Sequence, residues 1–249
     1  MITRAFRPCV LVPTFDNPVT VRRVVERARG YVDDVVVVDD GSGAEGRAAV
    51  QSLARESLAH AVFRPKNGGK GAAVKTGFVA ARDIGCTHAV QVDADDQHTI
   101  EDVPRFLDAA RSDPKAMVLG APIFDSAAPR SRIIGRKISQ FWVNIETFGR
   151  VIDDPLCGFR VYPLDLAIAV GARGNAMDFD PEIAVRMVWA GVRVINLGTK
   201  VRYVPAEEGG VSHFRMGRDN LLISWMHTRM VFGALLRIPT RVGRWLLSR

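Results

Sequence analysis

The run Val35-Val36-Val37-Val38, set between Asp34 and Asp39-Asp40, is too apolar to leave one face in water. A strand of that kind is buried on both faces, which chains achieve by pairing strands in parallel beneath two layers of helix. Other short apolar runs repeat the theme. "CVLVPT" (9–14), "HAVFR" (60–64), "HAVQVD" (88–93) and "AMVLGA" (116–121) read as strands. Between them the hydrophobic period becomes helical. One helix runs to about Arg29, opened by Asn17 as N-cap and Pro18 in the first turn. Others lie near 45–57 and within 68–85, and a fourth runs to about Arg111 behind a Thr99/Asp102 capping box. Strands alternating with helices predict an α/β fold with a doubly wound, mainly parallel sheet.

After residue 125 the rhythm changes. A long basic stretch (130–150) reads as helix, followed by a helix around 181–190, strands near 192–204 and a helix over 217–237. In that last helix Leu221, Leu222, Trp225, Met226, Met230, Phe232 and Leu236 form a wide apolar face. Asn220, Ser224, His227 and Thr228 fall opposite. With 249 residues the chain suits one large domain (1–212) and a C-terminal amphipathic segment (213–249). The segment from Arg215 onward carries seven Arg against one Asp, which is +6 of a total of +7. Arg interleaved with bulky aliphatics fits an anionic membrane surface, contacted through 217–249, better than a nucleic-acid track. The N-terminus has no signal-peptide pattern, and no stretch has the roughly 20 apolar residues of a spanning helix. Cys9, Cys86 and Cys157 are scattered and without metal spacing. They read as buried thiols of a reducing cytoplasm, which places the protein peripherally on the inner face of the cytoplasmic membrane.

In open α/β sheets, ligands bind beyond the carboxyl ends of the strands. Three strands here end in informative residues: Pro13-Thr14-Phe15, Asp39-Asp40-Gly41-Ser42 and Asp93-Ala94-Asp95. Their convergence on one edge is the signal. Chance alone gives about one or two Asp-x-Asp triples in a chain of this composition, and Asp178-Phe179-Asp180 reads as such a chance triple. Acids at the strand ends suit Mg²⁺ or Mn²⁺, which take one or two carboxylates plus substrate phosphates. Gln97 is placed to add an amide oxygen. Asp39 and Asp40 are placed to hold a base or ribose. "NGGKG" (67–71) is either a tight turn opening the next helix or a phosphate contact through Lys70.

"VPTFDN", "VVVVDDGS", "NGGKGAAVKTGF", "VDADDQH", "DDPLCGFRVYP" and "FDPEIAVRMVWAG" stand in the order and spacing of family 2 glycosyltransferases. The chain resembles the dolichyl- or polyprenyl-phosphate mannosyl/glucosyltransferase branch over residues 8 to about 200. That resemblance implies a GT-A fold, a nucleotide-sugar donor, a divalent metal and inversion by direct displacement. It assigns Pro13, Phe15 and Asp40 to the nucleotide, Asp93 to ribose and metal, and Asp95 and Gln97 to the metal. Asp154 matches the acid beside the acceptor, and Glu182 a structural or orienting acid in the following helix. A hydroxyl acceptor would need a base, for which Asp154 is the candidate. A phosphate acceptor would need cations, for which Arg130, Arg132, Arg136, Lys137 and Arg160 are the candidates; Arg160 could equally pair with an acid at the edge of the core.

The chain departs from that branch where Gly120-Ala121-Pro122 replaces Gly-Ser-Arg, and where "AEEGGVSHF" (206–214) brings acids and His213 in place of Arg and Lys. The acceptor is therefore left open between a polyprenyl phosphate and a hydroxyl-bearing lipid. The tail's weaker likeness to glycosyltransferases of aryl-polyene clusters suggests the latter. A sugar nucleotidyltransferase would want a glycine-rich, basic N-terminal loop, which "VPTFDN" lacks. A non-catalytic nucleotide-sugar-binding membrane protein would keep the same donor residues. A homo-oligomer is compatible with all these readings.

Overall fold

The computed structural model describes residues 5–124, 130–201 and 215–238. The elements run β1 (Pro8–Thr14), α1 (Thr20–Arg29), β2 (Asp34–Asp39), α2 (Ala44–Arg55), β3 (His60–Phe63), α3 (Lys70–Asp83) and β4 (His88–Gln91). There follow α4 (Val103–Ser112), β5 (Met117–Phe124), α5 (Arg130–Thr147), β6 (Arg160–Pro163), α6 (Leu164–Ala169), α7 (Phe179–Trp189), β7 (Val194–Val201) and α8 (Met216–Leu235). The seven strands form one sheet in the order β3-β2-β1-β4-β6-β5-β7. β6 runs antiparallel to both neighbours; the remaining pairs are parallel.

The valine run explains the layering. Side chains alternate across a strand. Val36 and Val38 join Cys9, Leu11, Val74 and Phe78 on one face, in the core shared with α3. Val35 and Val37 join Val10, Val12, Val24 and Val50 on the other, beneath α1 and α2. Both faces are dry, so the sheet is covered by helices on two sides, as the run requires. Cys9, Cys86 and Cys157 are all buried and free.

Three local expectations shift. α1 begins at Thr20 rather than Pro18. The Asn17 side chain donates to the Phe15 carbonyl at 2.9 Å, while its own carbonyl accepts from the Val21 amide at 3.2 Å. The Thr99/Asp102 pair forms no capping box. Thr99 Oγ1 donates to the Lys200 carbonyl at 2.8 Å and Asp102 accepts from Thr199 Oγ1 at 2.7 Å, so both stitch the start of α4 to β7. The stretch "FRVYP" supplies β6, an antiparallel strand hidden inside a motif.

α8 packs on α5 and α7 through Asp219, Met226, His227, Met230 and Ala234. Leu221, Trp225, Phe232 and Leu236 face outward. The apolar face expected from sequence is therefore split, and His227 lies on the buried side. The boundary expected at 212/213, His213 and the final "RVGRWLLSR" lie outside the described residues. Among the described residues no helix is long and apolar enough to cross a membrane.

Candidate active site

β1, β2 and β4 pair in parallel with Thr14 opposite Asp39 and Leu11 opposite Gln91, so their carboxyl ends open on one edge. A cleft of about 1660 Å³ lies there. It is lined by Pro13, Thr14, Phe15, Asp40, Lys70, Asp93, Ala94, Asp95 and Gln97. Of the expected nucleotide and metal residues, Asp39 alone stands apart. Its side chain is fully buried, and Oδ1 accepts from the Ser42 amide at 2.9 Å, closing the turn after β2. Asp40 does face the cleft. It accepts from the amides of Gly68 (3.1 Å) and Gly69 (2.7 Å) and from Arg64. Burial nonetheless holds its carboxyl above the ordinary value.

"NGGKG" is a docking turn. Gly69 has φ +94°, and a Cβ there would sit 2.5 Å from the Asn175 carbonyl oxygen. A Cβ at Gly71 would collide with Phe179. Both glycines let the start of α3 lie against the start of α7. That approach delivers Lys70 between two acids. Its Nζ is 2.8 Å from both carboxylate oxygens of Asp93 and 3.1 Å from Asp180 Oδ2. Burial alone would lower the Lys70 pKa, but Asp180 and Asp93 outweigh it and drive it above the ordinary value.

The crowded acids after β4 thus separate. Burial would raise Asp93, but Lys70 and His98 (Nε2 at 3.4 Å) pull it far below the usual carboxylate range. Asp95 is pushed up, by burial first and by Asp93 next. Its Oδ1 accepts from the Gln97 amide at 3.1 Å. Asp96 takes Arg27 at 2.7 Å and Arg23 at 3.2 Å, with φ +59°. Among the described residues Asp95 makes no ion pair. Among the described residues no three His, Cys, Asp or Glu side chains converge on one point. The chain can offer Asp93, Asp95 and the Gln97 amide to Mg²⁺ or Mn²⁺, with the remaining positions left to phosphate and water. That donor set fits a hard divalent ion.

The expected acceptor residues are dispersed. Arg136 lines the cleft and Nη1 lies 2.7 Å from both oxygens of Asp154, while Asp154 Oδ1 also accepts from the Leu156 amide at 2.8 Å. Asp154, the candidate base, is buried and does not line the cleft; Arg136 stands in front of it. Arg160 is fully buried and donates to the carbonyls of Pro155, Cys157 and Asp180, so it supports the 155–157 loop and does not reach an acceptor. Lys137 is exposed, and the side chains of Arg130 and Arg132 lie outside the described residues. Glu182 is buried and accepts from the amides of Arg173 and Gly174 and from Arg186, which anchors the loop ahead of α7.

Three features were missed in the sequence. Asp180, set aside as a chance triple, lines the cleft. His98 does too. A buried relay ties α8 to α5: Ser139 Oγ lies 2.9 Å from His227 Nε2, and His227 Nδ1 lies 2.7 Å from Glu146 Oε1. Beyond that relay the cleft continues as a groove between α5 and α8, walled by Ile134, Ile138, Trp142, Val231 and Phe232.

Residues 9–163, more than half the chain, match the model of Glycosyl transferase family 2. The chain belongs to that family. Within it, the polyprenol monophosphomannose synthase of Mycolicibacterium smegmatis is 28% identical over 213 residues, 80% of this chain and 76% of that one. The undecaprenyl-phosphate mannosyltransferase of Micrococcus luteus is 26% identical over 213 residues, 82% and 86% respectively. The tail's likeness to aryl-polyene enzymes finds no support in these relatives. Among solved structures, glucosyl-3-phosphoglycerate synthase from Mycobacterium tuberculosis in complex with Mn²⁺ and UDP-glucose superposes with a TM-score of 0.63 at 17% identity. The match covers 90% of this chain and 79% of that one, and it shows the shared GT-A fold. This family 2 glycosyltransferase gathers Pro13, Phe15, Asp40, Asp93, Asp95 and Gln97 along one cleft and lines the far end with two helices.

Proposed function

We propose that this glycosyltransferase moves a hexose from a nucleotide sugar to a polyprenyl-phosphate-type lipid at the inner face of the cytoplasmic membrane. The observation that carries the reading is the continuity of the cleft. Polar strand ends open directly into an apolar groove between α5 and α8, so a charged donor and a lipid can meet at one point. Pro13, Phe15 and Asp40 hold the nucleoside. Asp93, Asp95 and Gln97 hold Mg²⁺ or Mn²⁺, which when bound neutralises charge on the departing diphosphate.

The acceptor oxygen attacks the anomeric carbon from the face opposite the diphosphate. The new C–O bond forms as the old one breaks, and the nucleoside diphosphate leaves with the electron pair. A phosphate acceptor is already ionised and needs no base. Arg136 faces the groove with Asp154 behind it, an arrangement suited to presenting a guanidinium to phosphate oxygens. Arg215 and Arg218 line the same cleft. The relatives named above carry polyprenol and undecaprenyl phosphate in their names, which supports the same acceptor class.

Membrane contact has its own support. Ile134, Ile138, Phe141 and Ile145 form an exposed apolar stripe on α5, and Leu221, Trp225 and Phe232 another on α8. Contiguous apolar surface of this kind marks an interaction site. A thermal-shift screen of UDP-, GDP- and dTDP-hexoses with and without Mn²⁺ tests the donor side. A metal-dependent rise in Tm with one nucleotide supports the reading, and no rise with any contradicts it.

A further inference from the structure

Asp180 sits in the first turn of α7, 4% exposed, and lines the cleft. Its Oδ2 is engaged by Lys70 at 3.1 Å. Its Oδ1 is buried and, among the described residues, has no hydrogen-bond partner. A buried acceptor left without a donor is costly, and more so when charged, so such an atom on a residue that lines the cleft points to a donor that arrives with the ligand.

The surroundings say what kind of donor. Lys70 is shared by two carboxylates, leaving this corner of the cleft net negative, which repels a diphosphate. A neutral O–H group is attracted. The position is equally informative. Through Lys70, Asp180 is one side chain away from Asp93, one of the acids assigned to the metal that neutralises the diphosphate. Through its own carbonyl it is tied to Arg160 at 2.6 Å, and the same guanidinium holds Pro155 and Cys157 in the loop that follows Asp154. Gly158 of that loop lies so close that a Cβ there would be 2.7 Å from Lys70 Nζ. Asp180 therefore stands between the diphosphate end and the acceptor end, where the transferred sugar must lie.

We infer that Asp180 Oδ1 accepts a hydrogen bond from a hydroxyl of the donor hexose, so that Asp180 selects the sugar while Lys70 fixes its orientation. The inference rests on the nucleotide-sugar reading above. Sequence alone hides the residue because its triple looks like chance.

Calorimetric titration in Mn²⁺ compares the nucleoside diphosphate with its hexose conjugate, for wild type and Asp180→Asn. One charge-assisted hydrogen bond is worth about 1.5–3 kcal/mol, so the conjugate should lose roughly 10- to 100-fold in affinity. The bare diphosphate should change by less than about 3-fold. Donors deoxygenated singly around the ring give a second readout that needs no variant. One position should cost wild type at least roughly tenfold, and Asp180→Asn should be indifferent to that same position. Equal weakening of diphosphate and conjugate means that Asp180 acts only through Lys70, which overturns the inference while leaving the donor reading intact. Wild type that binds diphosphate and conjugate equally also overturns it. Wild type that binds none of the UDP-, GDP- or dTDP-hexoses overturns the donor reading and the inference together.

Discussion

Nη1 of Arg136 lies 2.7 Å from each carboxylate oxygen of Asp154, and of the two only Arg136 lines the cleft. The pair converts a choice between acceptor classes into a measurable one. If phosphate is the acceptor, Asp154 serves by holding Arg136 in place. Arg136→Met should then raise the KM for a short-chain polyprenyl phosphate by roughly 10- to 100-fold, the loss of a charge-assisted contact. Asp154→Asn should raise the same KM less and leave kcat within about tenfold. A collapse of kcat in Asp154→Asn at unchanged acceptor KM contradicts this and returns Asp154 to the role of base for a hydroxyl.

Lys70 is the cation shared by Asp93 and Asp180, so its removal should cost stability as well as binding. Lys70→Met leaves the buried Asp180 and the partly buried Asp93 facing each other with no lysine between them. Breaking a buried pair by deleting one partner costs about 3–5 kcal/mol. Urea unfolding should show a loss of that order, partly recovered in the double variant Lys70→Met/Asp180→Asn. No loss of stability in the single variant contradicts the account of this corner.

The pH dependence of folding has a named contributor. His88 is buried, with Nε2 2.9 Å from the Pro114 carbonyl, and burial lowers its pKa from the ordinary 6.5. The unfolded chain then binds a proton that the fold refuses. The stability due to His88 is whole above pH 6.5 and is lost as pH falls from there through the lowered value. Wild type should lose unfolding free energy between about pH 7 and pH 5.5, and His88→Gln should lose less over the same interval. Identical slopes would show that His88 titrates alike in both states.

Two exposed aromatic residues off the cleft test the membrane face. Phe141 on α5 is 59% exposed and Trp225 on α8 is 62% exposed, and neither lines the cleft. Burying such a side chain in lipid is worth about 1.5–3 kcal/mol. Phe141→Asp and Trp225→Asp should each weaken co-sedimentation with phosphatidylglycerol vesicles by at least about tenfold, with donor binding unchanged. Vesicle binding equal to wild type places the membrane contact elsewhere.

How much of this was legible in the sequence follows from range. The valine run of β2 fixes a dry, two-sided sheet because the alternation of side chains is local. The strand-end acids converge because parallel strands share an edge, so Asp40, Asp93 and Asp95 could be placed without coordinates. Asp180 could not. It reaches the cleft because Gly69 and Gly71 permit α3 to touch α7, a contact between segments more than a hundred residues apart. Arg160 reads as one more cation in sequence, and only its burial reveals that it carries three carbonyls. The basic residues at the start of α5 masked its apolar stripe. His227 falls on the polar face in sequence because a buried imidazole with two partners looks polar until Ser139 and Glu146 are seen beside it.

The central claim is hexosyl transfer from a metal-bound nucleotide sugar to a lipid phosphate. Its most direct test is to incubate purified protein, Mn²⁺ and a labelled UDP- or GDP-hexose with vesicles containing polyprenyl phosphate, and to extract the lipid. The account predicts label in a hexosyl-phosphoryl-lipid, abolished by chelation and by Asp95→Ala. No label in the lipid with either nucleotide, or label undiminished in Asp95→Ala, would contradict it.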